Sequence, residues 1–136
     1  MELLKVLKTN GLKATPQRVA VLKELDKKTH PTMDEMYESI KKEHPSISLA
    51  TVYKNVNILR EHGIVIEINV PNGKMKYDYL SVPHIHMVCT ECGNVEDLDY
   101  DEKLYNYQLE LEKRRDVTIN RLDIVASIKD CGVCKE

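Results

Sequence analysis

The 136-residue chain contains no tryptophan and no phenylalanine, and its seven aromatic residues are all tyrosine. Any core it builds must rest on Leu, Ile, Val and Met. It also lacks an apolar run approaching the roughly 20 residues that a helix needs to span a membrane. The first residues, MELLKVLKTNGLK, are too polar for the apolar segment of a secretory leader, so a cytoplasmic location is expected. A strong charge of one sign is missing too: 20 Lys and Arg stand against 22 Asp and Glu, a net of −2. That balance argues against a protein coated in basic charge for nucleic acid. There is no internal repeat and no low-complexity tract.

The content that remains, 42% hydrophobic and 31% charged, is that of a folded soluble chain long enough for one ordinary core or two small lobes. The halves differ mildly in charge. Residues 1–70 carry 11 basic against 9 acidic side chains, a net of +2, and residues 71–136 carry 9 against 13, a net of −4.

The first half reads as helices separated by start and stop signals. In TPQRVAVLKELDK, Thr15 is an N-cap, Pro16 takes the first helical position, and Val19, Leu22 and Leu25 share a face. HPTMDEMYESIKKEH repeats the device, with Thr32 capping, Glu35 three residues on, and Met36 and Ile40 facing inward. In SLATVYKNVNILREHG, Ser48 caps, Val52, Val56 and Leu59 form the stripe, and Gly63 stops the helix. IVIEINV and KMKYDYL then alternate as strands around PNG, a hairpin turn signal. Helices followed by a two-stranded hairpin outline a winged helix-turn-helix over residues 1–80. After a linker at 81–83, residues 84–136 read as an α/β lobe: HIHMVC, a turn TECGNV, a helix in DEKLYNYQLELEKRR, a strand in VTINRLDIVASI and the tail CGVC. The fold class expected is α+β.

Two histidines and two cysteines crowd into HIHMVCTECG. On a strand His84 and His86 point to one side and Cys89 to the other, which separates them into two sites. Cys89 and Cys92 form one CxxC, closed by Gly93, and Cys131 and Cys134 form the second. Four thiolates in two such pairs match a closed tetrahedral zinc; the alternatives are two disulfides or four thiols. The histidine face needs further ligands, for which Asp78, Asp97 and His30 are candidates. Three imidazoles and two carboxylates would suit Fe(II) or Mn(II) as well as zinc. An HxH pair by itself is an ordinary surface pair about as often as it is a site.

Taken together, LKATPQR, HPT, PSISLATVYKNVNIL, HIHMVCTECG and the late CGVC, in that order, resemble the ferric uptake regulator family of metal-dependent repressors. The resemblance covers nearly the whole chain. It implies a winged-helix DNA-binding domain, a dimerisation lobe, a structural zinc at Cys89, Cys92, Cys131 and Cys134, and a regulatory metal at His30, Asp78, His84, His86 and Asp97. Asp97 stands where iron-uptake members have Glu and the peroxide-sensing branch has Asp. Asn120 replaces a histidine that in many members helps to bind another metal.

The recognition helix would be SLATVYKNVNIL, with Ser48, Thr51, Tyr53, Lys54 and Asn55 near its N-terminal end. By resemblance Tyr53 meets base methyl groups while Arg18 and Lys54 hold phosphate or base edges. Considered alone, Tyr53 would more simply be a core residue and Lys54 a solvated charge. The resemblance further implies a homodimer on double-stranded DNA, repressing while metal is bound. Fe(II) would react with hydrogen peroxide and oxidise His30 or His84; Mn(II) would support DNA binding without that chemistry. An iron-responsive repressor, a zinc-sensing sibling, a non-haem iron oxygenase and a zinc-ribbon interaction module are the competing readings, the oxygenase ill served by a chain of this size.

Overall fold

Alternating start and stop signals predict the elements, and a computed structural model of the chain supplies their arrangement. It describes residues 2–71, 73–79, 84–119 and 122–132, with Glu2 and His84 described by backbone alone. The expected linker at 81–83, Asn72 of the PNG turn, Asn120 and Cys134 lie outside the described residues. The chain divides into two units, Met1–Asn69 with Gly73–Leu80, and Val70–Asn72 with Ser81–Glu136.

In the first unit four helices precede a hairpin: α1 (Glu2–Thr9), α2 (Pro16–Asp26), α3 (Met33–Glu43), α4 (Leu49–Glu61), then β1 (Val65–Ile68) and β2 (Lys76–Tyr79). The caps form as expected. Thr15 Oγ1 accepts from the Arg18 amide at 3.2 Å, Thr32 and Glu35 complete a reciprocal capping box, and Ser48 Oγ accepts from the Thr51 amide at 3.1 Å. Helix α2 packs against α1, α3 and α4. The core that results is aliphatic, with Leu7, Leu22, Leu25, Met36, Val56 and Leu59 fully buried. Gly63, at φ 72, makes the left-handed turn from α4 toward β1.

Two departures concern α1 and the hairpin. Helix α1 adds Leu3 and Leu7 to the core, four residues apart and so on one face. In the hairpin, pairing ends at Ile68↔Lys76, so residues 69–75 make a connection wider than a tight PNG turn.

In the second unit β3 (His84–Cys89) is the central strand of three, antiparallel to β4 (Val95–Asp99) on one side and parallel to β5 (Ile124–Ile128) on the other. Helix α5 (Glu102–Arg115), capped by Asp101, links β4 to β5. Strand β4 is additional to the expected elements. The unit buries little: among its described residues only Val70, His86, Val88 and Cys89 are buried. No residue of α5 is buried.

Candidate metal centres and recognition helix

The thiols gather because of strand topology. β3 and β5 run parallel with Cys89 opposite Ile128, so the chain leaves both strands at the same end of the sheet. After β3 it turns in a tight knuckle in which the Gly93 amide donates to the Cys89 carbonyl and the Cys89 amide to the Asn94 carbonyl, each at 2.9 Å. Gly93 has φ 75, and a Cβ there would meet Val70 Cγ1 at 3.1 Å, so glycine answers both the backbone and the space. After β5 the chain turns through Asp130, at φ 57, and delivers Cys131 to the knuckle.

The Sγ atoms of Cys89, Cys92 and Cys131 all lie within 4.8 Å of one another. None of the three is in a disulfide. Cys92 and Cys131 stand 3.6 Å apart, near the about 3.8 Å edge expected of sulfurs bound about 2.3 Å from a tetrahedral zinc. The Cys89 thiol is pulled down to about 6, first by the Cys92 backbone amide and further by Glu91's amide and the neighbouring thiols. A thiolate is the form that binds metal, so this donor set fits zinc. Cys134, the expected fourth ligand, is not among the described residues.

The remaining predicted ligands form one pair in each unit. In the first, the loop after α2 is stitched to β2 by the Tyr77 amide donating to the Pro31 carbonyl at 3.0 Å. His30 therefore lies beside Asp78, with Nε2 3.6 Å from Oδ2, the two side chains 7% and 1% exposed. Asp78 Oδ1 also accepts from the Tyr79 amide at 2.8 Å. In the second unit His86 is paired with Asp97 across β3 and β4, its Nε2 3.5 Å from Oδ1. Both separations exceed a good hydrogen bond. They are close to the about 3.0–3.5 Å between two donors that share one cation at about 2.1 Å. Each pair is thus a nitrogen-and-oxygen donor set of the kind that holds a harder transition-metal cation. His84 lies opposite Asp99 in the register.

On α4 the predicted DNA residues fall into two groups. Ser48, Tyr53 and Lys54 are exposed, Tyr53 at 45%, so Tyr53 is no core residue. Thr51 is half-buried, its hydroxyl 2.9 Å from that of Ser48. Asn55 faces inward: it is buried, donates to the Thr51 carbonyl at 2.9 Å and accepts from Arg18 Nε at 3.3 Å. Arg18 also donates to the Lys13 carbonyl at 3.0 Å. These two expected DNA contacts thereby join α2 to α4. Sequence reading overlooked Lys28, whose ammonium lies 3.4 Å from Asp78 Oδ1; no spacing rule links positions 28 and 78.

The sequence model of the Ferric uptake regulator family matches residues 9–127. The chain belongs to the ferric uptake regulator family. Among ferric uptake regulator relatives, it is 35% identical over 131 residues to the peroxide-responsive repressor PerR of Staphylococcus saprophyticus, covering 92% of this chain and 86% of that protein. The crystal structure of the Campylobacter jejuni peroxide stress regulator is 56% identical with a TM-score of 0.82, covering 98% of this chain and all of that one. The ferric uptake regulator of Pseudomonas aeruginosa, solved with manganese, is 26% identical with a TM-score of 0.78, covering 96% and 99%. Members of the family are transcriptional regulators, and the chain is a regulator rather than an enzyme.

Proposed function

We propose that this chain is a metal-dependent, DNA-binding transcriptional repressor that senses hydrogen peroxide. The 56% identity to the Campylobacter peroxide stress regulator, over nearly the full length of both chains, carries the peroxide reading. The donor sets support the metal reading: a thiolate-rich cluster for structural zinc, and imidazole–carboxylate pairs suited to Fe(II) or Mn(II).

Cys134 completes the zinc set with Cys89, Cys92 and Cys131. His30 and Asp78 of the first unit join His84, His86 and Asp97 of the second around one regulatory cation. A cation that draws donors from both units restricts their relative orientation and selects a DNA-competent arrangement. Iron bound there would supply the electron that splits peroxide and leads to oxygen addition at His30 or His84. Losing an imidazole donor would loosen the clamp and release the promoter.

The partners are double-stranded operator DNA and a second copy of the chain. Exposed Ser48, Tyr53 and Lys54 give α4 a face for the major groove. Exposed Tyr105 and Leu109, four residues apart on α5, in a unit with few buried residues, give a face for dimerisation. No helix of the described residues is long and apolar enough to cross a membrane; we assign the protein to the cytoplasm, where its operator lies.

The deciding experiment loads zinc-containing protein anaerobically with Fe(II) or Mn(II), adds a small excess of peroxide, and follows DNA binding while mapping oxygen by peptide mass spectrometry. Oxygen on the peptides of His30 or His84 with Fe(II) alone, and DNA release in step, is the expected result. Intact histidines with DNA binding that tracks Fe(II) would instead identify an iron-responsive repressor of iron uptake.

A further inference from the structure

Lys28 lies two residues before His30, on the loop between α2 and α3, and contributes nothing to the ligand sets above. Its Nζ is 3.4 Å from Asp78 Oδ1 and donates to the Tyr79 carbonyl at 2.6 Å. It also lies 5.4 Å from the centroid of the Tyr79 ring. Lys28 and His30 both have left-handed backbone, at φ 59 and 51. The loop therefore sets an ammonium and an imidazole against the two oxygens of one carboxylate that is 1% exposed.

A carboxylate buried to that degree needs a counter-charge. We propose that Lys28 is a tethered competitor for the regulatory cation, neutralising Asp78 while metal is absent and opposing metal when it binds. The inference rests on the reading of Asp78 as a regulatory ligand. A divalent cation on Asp78 brings two positive charges to within a few ångströms of the ammonium, which must retreat or be overcome. Lys28 is 37% exposed and hangs on a flexible stem, so retreat into water is open to it and the opposition is partial. The residue thus favours the metal-free fold and raises the metal concentration at which the regulator responds.

The test measures Mn(II) affinity of zinc-loaded, full-length protein from the electron paramagnetic resonance signal of unbound Mn(II), for wild type, Lys28→Gln, Lys28→Arg and Asp78→Asn. Lys28→Gln is expected to bind Mn(II) about tenfold more tightly, an advantage that shrinks in high salt, and to melt at lower temperature when Mn(II) is absent. Lys28→Arg, which keeps the charge and grips a carboxylate with two donors, is expected to bind Mn(II) a few-fold more weakly. It serves as the second arm if Lys28→Gln does not fold. Affinity unchanged or lowered in Lys28→Gln, or raised in Lys28→Arg, overturns the inference. If Asp78→Asn binds Mn(II) as wild type does, the assignment of Asp78 as a ligand falls, and the inference with it.

Discussion

Asp97 stands opposite His86 on adjacent antiparallel strands, with 3.5 Å between its Oδ1 and the imidazole Nε2. That placement depends on register, since a slip of one residue would turn the carboxylate to the other face of the sheet. Asp97→Ala is expected to weaken Mn(II) binding by about tenfold or more while zinc content and circular dichroism stay as in wild type. Calorimetric titration of zinc-loaded protein checks it; unchanged affinity would remove Asp97 from the ligands.

Asn55 and Tyr53 should separate stability from DNA affinity. Asn55→Ala leaves the Arg18 guanidinium without its partner on α4 and is expected to cost about 1–3 kcal/mol in urea unfolding. Tyr53→Ala, at an exposed position, should stay within about 0.5 kcal/mol of wild type yet lose affinity for a promoter fragment that wild type retards. Tyr53→Ala protein that binds such a fragment normally would exclude this side chain from the interface.

The Cys89 thiol makes metal-free, reduced protein sensitive to pH. Its folded value of about 6 lies below the ordinary 9.0, so the thiolate's contribution is fully present above about 9 and is lost as pH falls through about 6. Urea midpoints measured under reducing conditions with a chelator should therefore rise between pH 6 and pH 9. A flat profile would mean that the amide hydrogen bonds of the knuckle do not hold the thiolate in solution.

Replacing Cys92 with serine should abolish tightly held zinc and selectively disorder the second unit, because binding energy at such a site is also folding energy. The first unit has its own aliphatic core. Hydrogen exchange should show α2 and α4 still protected while β3 and β5 lose protection. Protection surviving in β3 and β5 would show that the sheet stands without its metal.

Leu109 and Tyr105 lie four residues apart on α5, both exposed, and so share a face. Leu109→Glu is expected to shift sedimentation from dimer to monomer and to lower DNA affinity in parallel. A variant that sediments as wild type does would place the dimer interface elsewhere.

Much of the first unit is legible in the sequence because its signals are local. Thr15, Thr32 and Ser48 start helices by hydrogen bonds that reach three residues, and Gly63 ends one through its own φ. Strand β4 is a different case: VEDLD is acidic and poor in β-branched residues, and it is extended because β3 offers it a ladder. The inward turn of Asn55 is equally invisible locally, since its partner Arg18 is 37 positions away on another helix. Among the candidate metal ligands, paired CxxC spacing announces the thiols, whereas the His30–Asp78 pair spans 48 positions and depends on a loop stitched to β2. Lys28 carries no motif, and only the folded chain brings it to Asp78.

The left-handed backbone of His30, at φ 51, also bears on redesign. That conformation is tolerated by Asn and Asp far better than by β-branched residues, so the loop acts as a socket that accepts a short list of replacements. An aspartate installed there would keep the turn, trade an imidazole for a carboxylate, and bias the pocket toward harder ions. On the reading proposed above, the same exchange would remove one of two rings open to oxidation, leaving a switch that answers to metal supply with a blunted response to oxidant.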